Sequence, residues 1–308
     1  MRTTYRIRQP FADIFLDCAK KAPCSSPVRP VRFIRKMRTN RGATGSFSGF
    51  GLDEEGLERK NPVIVALGDS VTAGHFERIS LPPDGDENAA FQEFMRKQAE
   101  RAKIIEELGP AGTDEAFERG ELEIDPPGEI VDARVCYLEQ FREMLIDKYE
   151  ETSVSTINAG IAADHLISMS RRAYRDVIRY QPDLVLINGS LNWSLALGTT
   201  KEYKEILTDL VRRLKKETDA DIVLMTPNAS FSSPVFGDAP EGERLEDRVR
   251  CIREVAQEEQ VCLADAYAVW EMARDAGCDW RDLLANYFNH PSVEGHTVYA
   301  ITLMKLME

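Results

Sequence analysis

Long apolar runs are absent: nowhere in the 308 residues is there an unbroken stretch near the roughly 20 apolar residues that cross a bilayer as a helix. Histidine is scarce, with four in the chain. The six cysteines, Cys18, Cys24, Cys136, Cys251, Cys262 and Cys278, fall at irregular spacings and form no C-x-x-C pair. A zinc site built from Cys and His therefore has little support, and no metal or other cofactor is implied. A chain of this size needs no disulfide framework, so reduced thiols are expected. The apolar residues of MRTTYRIRQPFADIFLDCAKK are interrupted by Asp13 and Asp17. The continuous core of a secretory signal is missing there, and the expectation is a cytoplasmic protein. Internal repeats and low-complexity tracts are missing too.

What is present begins with segregated charge. The net charge is −13, yet residues 1–42 carry 11 basic and 2 acidic side chains, which leaves 28 basic against 50 acidic in the remainder. The acidic body should repel nucleic acid, and no membrane-binding segment is evident. The basic arm is expected to lie against the acidic body of its own subunit, or of a neighbour in a homo-oligomer. Apolar residues at 43% and charged residues at 30% fit a globular enzyme with ample core.

From residue 62 onward, short β-branched or Leu-rich runs alternate with segments of helical period, the pattern of a parallel sheet covered on both faces. The predicted strands are VIVAL (63–67), VSTI (154–157), DLVLI (183–187), DIVLM (221–225) and VCLAD (261–265). Helices are predicted near 134–150, 164–180, 200–217, 242–259 and 292–307. In 200–217 the stripe Tyr203, Ile206, Leu207, Leu210, Val211 and Leu214 marks the face that packs on the sheet. Two regions break the alternation. Residues 1–60 read as an N-terminal extension with a helix near 11–20 and a strand at VRFIRKM (31–37). Residues 77–130 read as an insertion with a helix through 88–108, whose Phe91, Phe94, Met95, Ala102, Ile105 and Leu108 form an apolar stripe expected to close over the site as a lid.

The strongest chemical signal is VIVALGDSVTAG (63–74): a buried-type strand runs into Gly68, Asp69 and Ser70 on a turn that opens a helix. Open α/β sheets place their sites at such strand ends, and a helix N-terminus offers N–H groups to a developing oxyanion. Taken alone, Ser70 reads equally well as a nucleophile or as a helix cap.

At these residues the sequence resembles the SGNH (GDSL-like) hydrolases, whose first block is G-D-S-x-(T/S)-x-G. Three further blocks follow in order over residues 62–308. INAGIAADH (157–165) supplies Gly160, LINGSLNW (186–193) supplies Asn192, and NYFNHPSVEGH (286–296) supplies His290. The resemblance implies a three-layer α/β/α, flavodoxin-like SGNH fold around a parallel sheet of about five strands. It also implies Ser70 as nucleophile, His290 as base, and an oxyanion hole from Ser70, Gly160 and Asn192. For Gly160 the plainer reading is a tight turn needing positive φ. For Asn192 it is a helix cap.

Two departures stand out. Ser190 replaces the glycine of the third block and Trp193 its aspartate; Trp193 reads either as a wall of the substrate pocket, with Asp69 and Tyr287, or as core. Tyr287 occupies the place of the aspartate that orients the base. A backbone carbonyl of the 286–289 loop, the side chain of Asn286 or Asn289, or the carboxylate of Asp282 would have to substitute. Of the other histidines, His296 is expected to be exposed or capping, His75 to edge the pocket and His165 to pack at a helix end. The family resemblance implies a small-molecule ester as substrate. The reading adopted is a short acyl (acetyl) ester of a saccharide; a thioesterase, a lipase, or a non-catalytic binding protein on the same fold are the alternatives.

Overall fold

The computed structural model describes residues 9–39, 61–77, 129–149, 152–230, 244–278, 284–285 and 289–308, with isolated positions between them. Five parallel strands form the central sheet: β1 (Val63–Gly68), β4 (Ser155–Gly160), β5 (Leu184–Asn188), β6 (Asp221–Met225) and β7 (Cys262–Ala264), in the order β4-β1-β5-β6-β7. A separate antiparallel pair joins β2 (His75–Glu77) to β3 (Glu129–Val131). Counted along the main sheet this is the flavodoxin-like order 2-1-3-4-5. The strand order reverses beside β1, so a crevice opens at its carboxyl end.

Alternation along each strand divides the core into two layers. Ile64, Ala66, Leu184, Leu186, Val223 and Met225 face α1 (Gln9–Lys21), α2 (Val31–Thr39), α4 (Tyr137–Tyr149), α8 (Ala266–Asp275) and α9 (Val293–Met304). Val65, Leu67, Val185, Ile187, Ile222 and Leu224 face α5 (Leu166–Asp176), α6 (Thr200–Glu217) and α7 (Leu245–Glu258). Strands buried on both faces read as continuous apolar runs, which is why VIVAL and DLVLI stand out in the sequence. In α6 a capping box between Thr199 and Glu202 starts the helix, and Tyr203, Leu207, Leu210, Val211 and Leu214 are buried. Each such aliphatic side chain contributes about 1.5–3 kcal/mol on burial.

The segment VRFIRKM is a helix, α2, and not a strand. Phe33 and Met37, four residues apart, are both fully buried, and Pro30 O accepts the N–H of Ile34 at 2.9 Å as the first turn closes. Pro30 immediately precedes the helix, where its missing N–H costs nothing. This helix meets the amino-terminal edge of the sheet. Asp221 Oδ2 accepts Phe33 N–H at 2.8 Å, and Lys36 Nζ pairs with Asp183 at 2.5 Å. In α1, Phe15 packs edge-on against Trp270 of α8. The helix through 88–108 and its role as a lid lie outside the described residues. The β2–β3 pair brings residues 77 and 129 together, so the insertion leaves and re-enters at one place.

Candidate active site

The first block turns sharply after β1. Asp69 Oδ1 accepts the N–H of Val71 at 3.0 Å, capping the single-turn helix α3 (Ser70–Ala73). Gly74 ends that helix in the left-handed region, at φ 88°, a conformation that suits glycine. Ser70 thus stands at the first helical position, at the carboxyl end of the strand beside the switch point.

His290 arrives from a loop pinned at several places. Its carbonyl accepts Ala285 N–H at 2.8 Å, and Leu284 and Pro291 form an antiparallel bridge. Asn228, at the carboxyl end of β6, donates from Nδ2 to Asn289 O at 2.8 Å and accepts from Tyr299 Oη at 3.0 Å. These contacts bring His290 Nε2 to 2.8 Å from Ser70 Oγ, with both residues only 5% exposed. For Nε2 to accept the serine proton, the neutral ring carries its hydrogen on Nδ1. Of the residues considered for orienting Nδ1, Asn286 and Asp282 lie outside the described residues, as does Tyr287, while Asn289 lies within them and its carbonyl accepts from Asn228. The His75 ring lies 5.9 Å from that of His290.

Asp69 is fully buried and its Oδ2 has no hydrogen-bond partner among the described residues. Burial raises its pKa to about 7, against the opposing pull of the Val71 N–H and His290. It sits beneath the site as a helix cap and not in an open pocket, a correction to its expected place in the substrate pocket. Trp193 is likewise corrected: it is 3% exposed, packs on Tyr203, and donates from Nε1 to Gly198 O at 3.1 Å. It belongs to the core. His296 is fully buried, neither exposed nor capping. Its Nδ1 accepts Tyr137 N–H at 3.2 Å, and burial lowers its pKa to about 3, so it remains neutral. His165 precedes α5 without capping it.

Gly160 does something other than the sequence suggests. Its φ is not positive. A Cβ there would come within 2.2 Å of Ala73 N and 2.6 Å of Thr72 C, so glycine is needed for β4 to pass beneath the nucleophile helix. Its N–H donates to Asn158 Oδ1 at 2.9 Å and is thereby engaged. The unengaged N–H groups belong to the following turn: Ile161 donates to Gly68 O and Asp164 to Ile161 O, while Ala162 and Ala163 have no acceptor among the described residues. Ala163 stands in the left-handed region at φ 57°. Asn192 adjoins this turn, its Nδ2 donating to Asp164 O at 3.0 Å. The resemblance pointed to the glycine of the second block, and the plainer reading gave it a positive φ; here the left-handed residue is Ala163. Sequence reasoning also missed Arg172, a buried arginine of α5 that binds Asp164.

A model of the GDSL-like lipase/acylhydrolase family matches residues 128–298, more than half of the chain. Among solved structures, a variant of Axe2, an acetyl xylan esterase from Geobacillus stearothermophilus, aligns at 20% identity over 80% of this chain and 94% of that one, with a TM-score of 0.51. Another variant of Axe2, described as an acetyl-xylooligosaccharide esterase, gives 21% identity, the same coverages and 0.51. LAE5, an alpha/beta hydrolase enzyme from the metagenome of Lake Arreo, Spain, gives 20% identity over 80% and 94% of the two chains, with a TM-score of 0.52. No curated protein matches the chain. The chain belongs to the GDSL-like lipase/acylhydrolase family and has the SGNH hydrolase fold. The match begins after Ser70, and the fold brings Ser70 to the His290 of the matched region.

Proposed function

We propose that this protein is a serine esterase that hydrolyses a short-acyl ester, in particular an acetyl ester of a saccharide or similar small molecule, through an acyl-enzyme on Ser70. The observation that carries the reading is the 2.8 Å contact between His290 Nε2 and Ser70 Oγ at the sheet's switch point. A serine hydroxyl is a weak nucleophile at neutral pH until a base takes its proton. In this reaction Ser70 Oγ attacks the ester carbonyl carbon as its proton passes to His290, and the carbonyl π pair moves onto oxygen. The tetrahedral intermediate collapses, the alkoxide leaves with the proton from His290, and water repeats the sequence to release the acid.

The oxyanion needs donors already in place. The N–H of Ser70, Asn192 Nδ2 and the N–H of Ala163 fill that role in this reading, Ala163 replacing Gly160. The choice of an acetyl ester draws on the activity named for Axe2. The test is labelling by a fluorophosphonate, followed by turnover of p-nitrophenyl esters of increasing acyl length and of acetylated xylo-oligosaccharides. The expected result is one label per chain, lost in Ser70→Ala, and fastest turnover of acetyl esters. A folded protein that neither labels nor hydrolyses any ester would instead be a binding protein on this fold.

A further inference from the structure

The turn after β4 contains a local conflict. An alanine at φ 57° crowds its Cβ against the backbone, and such a residue persists only where its surroundings over-determine it. The surroundings here converge on Asp164, whose side chain is buried. Its Oδ1 accepts His165 N–H at 2.9 Å, its carbonyl accepts Asn192 Nδ2 at 3.0 Å, and its Oδ2 receives Arg172 Nε at 2.7 Å and Nη2 at 2.6 Å.

The same guanidinium reaches two strand ends. Nη1 donates to Ala159 O in β4 at 2.8 Å and to Asp176 Oδ2 at 2.9 Å, and Nη2 donates to Gly68 O at 2.9 Å. Gly68 is the last residue of β1 and lies two residues before Ser70. All five guanidinium donors are thereby matched, and they join the strand that carries the nucleophile, the end of β4 and the turn that adjoins Asn192. The rigid planar fork supplies five donors in fixed directions, whereas a lysine ammonium supplies three from a single atom and cannot reproduce this set.

We propose that Arg172 is a positioning residue of the active site. It holds the 161–165 turn in the left-handed conformation of Ala163 and fixes that turn to the end of β1, so that the oxyanion donors and Ser70 keep one geometry. Arg172 touches neither substrate nor reacting atoms. The proposal rests on the reading of Ser70 and His290 as an esterase site.

The test is the Arg172→Lys variant, which keeps a cation for Asp164 and Asp176 but loses the fork, with Asp164→Asn as a second variant should the first not fold. Turnover is expressed per site titrated with fluorophosphonate, so that misfolded protein drops out. Misplaced donors should lower kcat about 10–100-fold while KM stays within about threefold. Measured on an Ala163→Gly background, the same Arg172→Lys change should cost no more than about threefold, because glycine holds positive φ without being forced. General loss of fold would not be relieved in this way. A kcat per titrated site at the wild-type level in both variants overturns the proposal, and so does a loss undiminished on the Ala163→Gly background. A wild-type protein that turns over no ester overturns the underlying esterase reading, and it does so before any substitution is made.

Discussion

The two edges of the central sheet use their carboxylates in opposite ways. At the amino-terminal edge, Asp183 accepts Val63 N–H at 2.8 Å and pairs with Lys36, while Asp221 accepts Phe33 N–H at 2.8 Å. Those groups fasten β1 and the N-terminal helix α2 to the sheet. At the carboxyl-terminal edge, Asp69 has an oxygen without a partner among the described residues, and its carboxyl is pushed up to about 7. Ala163 there holds a left-handed φ, and Ser70 Oγ and His290 Nε2 face each other at 2.8 Å. One edge satisfies its polar groups, and the other leaves polar groups and strain where a reaction needs them. That division is expected when strain is kept at a site and offset by a well-satisfied scaffold.

The contrast can be broken from either side. The largest effect is expected at the upper edge: His290→Ala should lower kcat/KM by at least about 1,000-fold and remove its fall at acid pH, since only a neutral imidazole accepts the serine proton. A pH–rate profile with thermal melting checks this, and a parallel His296→Ala variant should keep the acid limb. Asn192→Ala should cost about 100–1,000-fold in kcat if its amide serves the oxyanion. Steady-state kinetics decide, and a change confined to KM would return Asn192 to the role of holding Asp164 O.

At the lower edge the expectation reverses. Asp183→Asn keeps the shape but loses a charged acceptor, which should lower stability by about 1–3 kcal/mol in denaturant titration with kcat unchanged. The narrowest effect, confined to the pH dependence of stability, concerns Asp69. Its pKa is raised from 3.8 to about 7 by burial, so the folded state holds a proton that the unfolded chain has already released. Its contribution to stability is therefore greatest below the unfolded value and is lost as pH rises through about 7. Asp69→Asn, which cannot ionise, should flatten that part of the stability–pH curve. An unchanged slope would mean that the buried carboxyl does not titrate there.

The five strands and the helices α4, α5, α6, α7 and α9 were legible because strands buried on both faces are apolar throughout and the helices carry one-sided stripes, whereas α8, which follows β7 directly, was not anticipated. Ser70 and His290 were legible through the resemblance of their blocks to the SGNH pattern, since Ser70 alone reads equally well as a helix cap. What misled was local: VRFIRKM reads as a short strand opening on a β-branched residue, although Phe33 and Met37 already lie at helical spacing. Gly160 drew attention through its place in the second block, yet it serves a close approach between β4 and α3 while its N–H is spent on Asn158. The contact of Trp193 with Tyr203, the burial of His296 and the reach of Arg172 depend on tertiary packing that periodicity does not encode. The β2–β3 pair was missed because its strands are three residues each and more than 50 residues apart.

The most direct test of the central claim is the rate of fluorophosphonate labelling at Ser70, mapped by peptide mass, in the wild type and in His290→Ala across pH. If His290 activates Ser70, the wild type labels once per chain, faster as pH rises from the acid side, and His290→Ala labels slowly with no such rise. Equal labelling rates in the two proteins at every pH, or label on a residue other than Ser70, would contradict the account.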